Sequence, residues 1–233
     1  MDNQCYISHT KRFIYFPIQK AACSSLKLAL SPYFGISLET NTAIKKNIFD
    51  DLDYFEKIHA QPFPYVSRKQ ISEGSFNKYY KFAFVRNPWD RVFSFYKNKI
   101  LKTDLTNRYF LNGIPRFLVR DYGTNLFKYG MGFEKFINII AEIPDRDAEQ
   151  HFRSQHKFIT YNKRCLANFV GKIENMEKDY QYVCDHAGIV AKLDKINSTI
   201  ATTGGYRDFY NKKTIKIIRE RYEEDILQFQ YEF

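Results

Sequence analysis

The chain has 233 residues, a formal net charge of +10, 44% hydrophobic residues and 18% aromatic residues. This length suffices for one α/β domain, 1–233, with a sizeable core, and the composition excludes an intrinsically disordered chain. The positive charge indicates an anionic partner, which could be nucleic acid, a membrane surface, an acidic polymer or a polyanionic nucleotide, although a Lys-rich protein without such a partner is the alternative.

Cysteine spacing and hydropathy indicate where the protein works. The four cysteines are scattered without a C-x-x-C pair, which argues against a zinc site and against a disulfide framework. No signal-peptide pattern and no uninterrupted apolar run of about 18 residues is present in the sequence. We therefore expect a cytoplasmic protein with no membrane span.

The first predicted element is a strand over residues 12–16, followed by a short loop and the start of a helix. The loop carries Lys20, and the small residues after it allow close approach to the backbone: Ala21, Ala22, Cys23, Ser24 and Ser25. Amide N–H groups and the positive end of a helix dipole favour an anion at such a corner. The segment contains no glycine from Phe13 to Leu30, so it lacks the spacing of a nucleoside-triphosphate P-loop.

A second strand is predicted over residues 81–85, with a helix directly after it. Asn87 suits the N-cap, Pro88 suits the first helical position, and Asp90 lies near the positive end of the helix dipole. Apolar residues recur at helical spacing and predict a buried face: Trp89, Val92, Phe93, Tyr96 and Ile100.

Arg86 and Ser94 form a second candidate anion site at this corner. Arg86 ends the strand, and Ser94 follows eight residues later on the side of the helix that carries Asn87 and Arg91. An Arg fork suits a terminal phosphate. The alternative is that Arg86 pairs with Asp90 and that Ser94 is an ordinary surface residue.

The remaining pattern predicts a third strand over 168–171 and helices over 132–142, 174–187 and 212–229, with Gly188 as a helix stop. Residues 39–76 and 102–130 lack a clear apolar period, and the second of these suggests loops and short helices. Strands followed by helices predict parallel βαβ units and an α/β fold.

The two corners together resemble the sulfotransferase superfamily, and most closely its carbohydrate sulfotransferases, the branch of the chondroitin and related Golgi enzymes and their bacterial relatives. The resemblance rests on five blocks in the same order: 17–25, 84–96, 149–155, 169–179 and 197–210. It implies a P-loop-like three-layer fold with a central, mostly parallel sheet flanked by helices. One departure is Gln19, where many relatives have Pro before the Lys.

The resemblance implies binding of the sulfuryl donor 3′-phosphoadenosine 5′-phosphosulfate (PAPS). Residues Lys20 to Ser25 would bind the 5′-phosphosulfate, and Arg86 with Ser94 would bind the 3′-phosphate. The loop before the last helix often closes over the nucleotide in this family, which implies Thr203, Gly204, Gly205, Tyr206 and Arg207 here, with a plain turn as the alternative.

A catalytic base is sought among the five histidines. We expect His9 to be exposed and His186 to lie at a helix C-terminus, and His156 has no distinguishing context. His59 resembles the place where uronyl-type relatives keep a catalytic His, and His151 is the second candidate. A carboxylate such as Glu56 or Asp53 stays open, and so does a purely structural role for His59. No metal is expected.

These patterns predict transfer of a sulfuryl group from PAPS to a hydroxyl of a carbohydrate acceptor, such as an acidic polysaccharide or its precursor, in polysaccharide biosynthesis. Lys20 would stabilise the leaving group and His59 would act as base. A P-loop-like small-molecule kinase and a non-catalytic nucleic-acid-binding module are the alternatives. The dispersed basic residues argue against a nucleic-acid partner. Two interpretations stay open for the basic segments 97–102, 116–120 and 153–164: they line an acceptor cleft, or they form solvated faces. The sequence does not indicate an oligomeric state.

Overall fold

A computed structural model describes residues 4–36, 58, 61–101, 110–193 and 205–233. The strands of these segments are β1 (Cys5–Ser8), β2 (Phe13–Phe16), β3 (Tyr65–Val66), β4 (Tyr80–Val85), β5 (Phe110–Leu111), β6 (Ile114–Pro115), β7 (Thr160–Tyr161), β8 (Arg164–Cys165) and β9 (Phe169–Lys172). The α-helices are α1 (Cys23–Leu30), α2 (Arg68–Ser72), α3 (Pro88–Tyr96), α4 (Arg116–Tyr122), α5 (Phe133–Glu142), α6 (His156–Ile159), α7 (Met176–Ala187), α8 (Lys212–Arg221) and α9 (Glu223–Phe229).

The main sheet has five strands in the order β3-β1-β2-β4-β9. Strands β2 and β4 pair in parallel, as do β4 and β9, which confirms the three predicted strands and their parallel arrangement. Strand β1 is antiparallel to both β2 and β3. The sequence reasoning missed this antiparallel edge, because β1 and β3 are short, with four and two residues. The fold is mixed α/β with a central sheet that contains parallel strands.

Contacts between residues divide the chain into two compact units. The first comprises Met1–Val85 and Lys157–Ser198, and the second comprises Arg86–His156 and Thr199–Phe233. The main sheet, α1 and α7 belong to the first unit, while α3, α5, α8 and α9 belong to the second. The expectation of one domain over 1–233 stays a prediction.

One face of the sheet carries the aromatic core of the first unit. Phe13 and Tyr15 of β2 lie beside Phe82 and Phe84 of β4, and all four side chains are buried. Alternate residues of a strand point to the same face, so this period of two presents one continuous apolar surface. Helices α1 and α7 cover it with Leu26, Leu30, Tyr180, Val183 and Ala187.

The predicted helices are confirmed with one change. Gly132 is the N-cap of α5, and Gly188 ends α7 with a left-handed φ of 60°. The segment 212–229 is not one helix, because it breaks at Tyr222 into α8 and α9. The Tyr222 side chain is buried and its hydroxyl donates to the Phe152 carbonyl at 2.6 Å, and the Tyr222 backbone leaves the α-helical region with a φ of −118°.

Segment 110–122 contains a β5–β6 hairpin as well as the short helix α4. Short helices were expected there, and the hairpin was not. The four cysteines all lie in described segments, and no disulfide joins any two of them. Among the helices that the structure describes, none combines the length and apolarity needed to cross a membrane.

We expect Gly171→Ala to destabilise the protein by about 1–3 kcal/mol through overpacking. A Cβ atom at Gly171 would lie 2.6 Å from Phe84 Cε1 and 3.1 Å from Asp179 Cβ, and Phe84 is buried. The matched control is Gly132→Ala, since no atom lies within 4 Å of the Cβ built there. Chemical denaturation measures both variants, and equal stabilities would contradict the packing account.

Candidate functional site

The loop between β2 and α1 has a strained backbone. Lys20 has a φ of 66° and Ala22 has a φ of 57°, so two residues with a Cβ adopt the left-handed conformation. Each costs on the order of 1–2 kcal/mol relative to the right-handed region. Turns with left-handed residues are one way in which backbone N–H groups form anion-binding concavities, and in this turn the Ala21 N–H donates to the Ile18 carbonyl at 3.3 Å. Non-glycine residues held in this region cluster at ligand-binding sites.

Helix α1 begins directly after this turn, and its N-terminus carries no negative charge. The N-cap residue Ala22 has no polar side-chain atom, and the first turn contains no acidic residue. The amides of a helix's first turn have no acceptor within the helix, and the helix dipole makes this end positive. Lys20 and Ser24 are half-buried, and Ser25 is buried. The corner therefore combines a positively polarised helix end with a lysine and two serines, the groups that an anion site requires.

Tyr15 lies in β2 just before this loop. Its hydroxyl oxygen is buried and has no hydrogen-bond partner among the residues that the structure describes. Burial raises the pKa of Tyr15 well above its usual value, and the neighbouring Cys23 adds to the rise. The side chain therefore stays a neutral hydroxyl at physiological pH.

The sheet register brings the ends of β2 and β4 to one edge. Phe16, the last residue of β2, pairs with Ala83, so β4 continues for two more residues to Val85. Ligands of open α/β sheets bind beyond the carboxyl ends of the strands. The anion-binding turn leaves the sheet at this edge.

The second corner has the predicted cap. Asn87 accepts a hydrogen bond from the Trp89 N–H at 3.1 Å, and Pro88 is the first residue of α3. The Arg86 guanidinium makes a bidentate pair with Asp90, with N···O distances of 2.8 and 2.9 Å. The alternative expectation, that Arg86 pairs with Asp90, is thus correct in this structure. Ser94, by contrast, is only 2% exposed, so it is not a surface residue.

A buried carboxylate fixes the backbone on which Arg86 lies. The Gln155 side chain accepts from the Arg86 N–H at 2.9 Å and donates to the Arg86 carbonyl at 2.8 Å. Asp225, which is fully buried, accepts hydrogen bonds from the Gln155 and His156 amides at 2.6 and 2.8 Å. His156 Nδ1 lies 2.8 Å from Asp225 as well.

His156 is therefore a buried structural residue rather than part of an exposed basic patch. The sequence reasoning missed the roles of Gln155 and Asp225, because 70 residues separate them in the chain. The only sequence signal was the block 149–155 of the family resemblance, which ends at Gln155.

His151 is paired with a carboxylate in the second unit. Its Nδ1 lies 2.8 Å from Glu149 Oε2, and its backbone N–H donates to the same oxygen at 2.8 Å. The imidazole stacks on Phe117 with 5.0 Å between ring centroids. The buried Arg91 guanidinium donates to the carbonyls of Gln150 and Arg153, so it holds the turn that carries His151.

The charge of Glu149 is stabilised by its partner. Burial would raise the pKa of Glu149, but the nearby charge of His151 and two hydrogen bonds from His151 hold that pKa below its usual value. A carboxylate that orients an imidazole is the arrangement used to activate a general base.

Tyr206 and Arg207 lie against the start of α3. The Arg207 guanidinium lies 4.8 Å from the centroid of the Tyr206 ring, and Tyr206 contacts Phe233 at 5.8 Å. Phe233 in turn contacts Trp89, with 5.6 Å between centroids. Within the second unit, the structure therefore brings the predicted nucleotide-closing segment to the corner that carries Arg86.

The remaining candidate residues are the rest of the nucleotide-closing segment and the other possible bases. Gly205 has a φ of 74°, while Thr203 and Gly204 lie outside the described residues. His59, Glu56 and Asp53 also lie outside the described residues. His9 is exposed as expected, and His186 lies in the last turn of α7 as expected.

Comparison with known proteins identifies the family. The model of the "Sulfotransferase family" matches residues 3–232. The chain belongs to this family. Relatives include "Carbohydrate sulfotransferase 10" of Danio rerio, 26% identical over 66% of this chain and 47% of the relative. "Carbohydrate sulfotransferase 14" of Danio rerio is 25% identical over 78% of this chain and 47% of the relative. "Carbohydrate sulfotransferase 10" of Xenopus laevis is 22% identical over 98% and 67%.

The chain spans about half the length of the first two curated relatives it matches. No solved structure matches it. The family relationship confirms the predicted resemblance, and it gives no support to the kinase or nucleic-acid alternatives.

We expect Glu149→Gln to make the free energy of unfolding less dependent on pH in the acid range. The stabilisation from the ionised carboxylate is complete above the unfolded-chain pKa of about 4.5 and is lost as the pH falls through the lower folded-state pKa. The unfolding free energy of the wild type should therefore fall more steeply between pH 5 and pH 3 than that of the variant. Glu142→Gln, an exposed site on α5, is the control. Parallel pH profiles for wild type and Glu149→Gln would contradict the pairing.

Proposed function

We propose that this chain is a PAPS-dependent sulfotransferase that acts on a hydroxyl of a carbohydrate. The observation that carries the proposal is the strained, positively polarised corner between β2 and α1 in a member of the sulfotransferase family. The names of its relatives support a carbohydrate acceptor. The finer fold that we propose is the P-loop-like three-layer arrangement. An acidic polysaccharide or its precursor as acceptor belongs to the same proposal, while the cytoplasmic location and the absence of a metal stay predictions.

In this proposal each phosphate of the donor has its own binding element. The turn from Lys20 to Ser25 binds the 5′-phosphosulfate, for which its amides, serine hydroxyls and ammonium group are suitable donors. Arg86 and Ser94 bind the 3′-phosphate. A guanidinium has five N–H donors, so its bidentate pair with Asp90 fixes its orientation without using its whole donor capacity. Tyr206 and Arg207 contact the nucleotide from the segment that packs beside α3.

Sulfuryl transfer breaks the bond between sulfur and the bridging phosphate oxygen, forms a bond from the acceptor oxygen to sulfur, and releases the proton of the acceptor hydroxyl. Positioning and charge stabilisation supply most of the rate in such in-line transfers. Lys20 stabilises the negative charge that develops on the leaving phosphate oxygen. The α1 N-terminus holds the same group with backbone amides, which need no reorganisation during the reaction.

A base must accept the proton of the acceptor hydroxyl. His59 remains the first candidate and His151 the second. The pairing of His151 Nδ1 with Glu149 supports the second candidate, because it orients the imidazole and stabilises its protonated form.

Adenosine 3′,5′-bisphosphate, the product nucleotide, tests the donor site by isothermal titration calorimetry. We expect binding well below millimolar for the wild type. Arg86→Ala should weaken it by about 10- to 100-fold, the loss of charge-assisted hydrogen bonds worth about 1.5–3 kcal/mol. Asp90→Asn, which removes the partner and keeps the guanidinium, is the matched control. Absence of binding by the wild type below millimolar would contradict the proposal.

Lys20→Ala should lower kcat by about 10²- to 10³-fold, as removal of one transition-state donor does in other enzymes. The fold should persist, since Lys20 is half-buried in a loop. Labelled PAPS with a panel of carbohydrate hydroxyl acceptors measures transfer. Lys163→Ala removes one exposed lysine elsewhere and is the charge-matched control. An equal loss in both variants would refute a specific role for Lys20.

Single substitutions distinguish the two base candidates. The variant that removes the base should lose about 10²- to 10⁴-fold in kcat, and its pH profile should lose the acidic limb, in which the rate rises with pH as the base is deprotonated. Nucleotide binding should persist in both His59→Gln and His151→Gln. If neither substitution lowers kcat tenfold, a carboxylate is the base and both histidine assignments are wrong.

A further inference from the structure

Asp225 is a fully buried carboxylate in the second unit that has no direct part in the proposed reaction. It lies in the first turn of α9, three residues after the break at Tyr222. Removing a carboxylate from water is unfavourable unless hydrogen bonds and opposite charges offset the cost. The partners of Asp225 therefore indicate what this residue does.

Both oxygens of Asp225 bind a segment about 70 residues earlier in the chain. Oδ2 accepts from the Gln155 N–H at 2.6 Å, and Oδ1 accepts from the His156 N–H at 2.8 Å and lies 2.8 Å from His156 Nδ1. The charges of Arg91 and Arg221 also interact with Asp225. Hydrogen bonds to an ionised acceptor are stronger than neutral ones, so one carboxylate holds two successive amides of the backbone in place.

The Gln155 side chain passes this constraint to Arg86. Gln155 is fully buried, and its side-chain amide accepts from the Arg86 N–H at 2.9 Å and donates to the Arg86 carbonyl at 2.8 Å. The pair of bonds lies directly after Val85, where β4 ends. Leaving buried polar groups unpaired is costly, so a displaced Gln155 backbone would take the backbone of Arg86 with it or break both bonds.

The other end of Arg86 is fixed by Asp90. The guanidinium donates to both carboxylate oxygens at 2.8 and 2.9 Å, and the Arg86 side chain is 12% exposed. Arg86 is therefore held at its backbone and at its tip before any phosphate binds. A side chain that is already ordered loses less conformational entropy on binding, and its donors are already oriented.

We propose that Asp225 is a positioning residue for the 3′-phosphate site. It acts through Gln155 on the backbone of Arg86 and does not itself contact the nucleotide. The inference rests on the proposed function, which assigns the 3′-phosphate to Arg86. Its consequence is selective: Asp225 contributes to the affinity for the 3′-phosphate and not to the affinity for the rest of the nucleotide.

Two nucleotides that differ only in the 3′-phosphate test this selectivity by isothermal titration calorimetry. They are adenosine 3′,5′-bisphosphate and adenosine 5′-monophosphate, and the ratio of their Kd values measures the contribution of the 3′-phosphate. Asp225→Asn removes the charge and one acceptor oxygen. We expect it to weaken bisphosphate binding roughly fivefold or more and to leave monophosphate binding within about twofold of wild type. A merely structural role would weaken both nucleotides alike or neither.

Gln155→Met is a second variant, which tests the inference even if Asp225→Asn does not fold. It keeps a side chain of similar length, removes both hydrogen bonds to Arg86, and leaves Asp225 bound to the His156 amide. We expect the same selective loss of bisphosphate affinity. Asp225→Asn should change the Kd ratio less than about twofold further when it is added to Gln155→Met or to Arg86→Ala, because the group through which it acts is then absent.

Asp145→Asn is the matched control in the same unit. Asp145 accepts from the Ser154 N–H at 3.0 Å and pairs with Arg221 at 2.8 Å, so this variant also weakens a carboxylate that holds a backbone amide. It should keep the Kd ratio of the wild type. An equal selective loss in Asp145→Asn, or a ratio unchanged by both Asp225→Asn and Gln155→Met, would overturn the positioning role alone. Equal affinity of the wild type for the two nucleotides would instead refute the 3′-phosphate assignment itself.

Discussion

Strand β2 pairs in parallel with strand β4, so both strands end at the same edge of the sheet. An antiparallel pairing would place the Lys20 turn and Val85, the last residue of β4, at opposite ends of the strands. The pairing is held by a buried aromatic face in which Tyr15 stacks on Phe82, with 5.5 Å between centroids. Core packing thus decides where the chemistry can occur.

Each corner is then fixed by a different physical device. At the first corner, backbone strain at Lys20 and Ala22 and an N-terminus without acidic residues create a positively polarised turn. At the second corner, the buried Asp225 accepts a hydrogen bond from the Gln155 backbone N–H, and the Gln155 side-chain amide bonds to both the N–H and the carbonyl of Arg86. The Lys20 turn is strained before a ligand binds, whereas the backbone N–H and carbonyl of Arg86 are already hydrogen-bonded. Anion binding can therefore compensate backbone strain only at the Lys20 turn.

The sequence predicts the local features of this structure well. The three parallel strands, the Asn87 cap with Pro88 after it, and the Gly188 stop all follow from residue type and spacing, because each depends on neighbours in the chain. The contact of Tyr222 with Phe152, the Gln155 clamp and the burial of His156 do not follow, because each depends on a residue about 70 positions away. The Glu149–His151 pair could have been predicted from the sequence, because a carboxylate and an imidazole lie two positions apart. Their spacing alone does not show that the carboxylate is buried.

The proposed function assigns the two phosphates of one nucleotide to two separate corners. Phosphorus NMR of adenosine 3′,5′-bisphosphate measures this directly, because the 3′- and 5′-phosphates give separate signals. Both signals should shift on binding to the wild type; Lys20→Ala should diminish mainly the shift of the 5′-phosphate, and Arg86→Ala mainly that of the 3′-phosphate. If both substitutions act on the same phosphorus signal, or if neither changes either signal, the account is wrong.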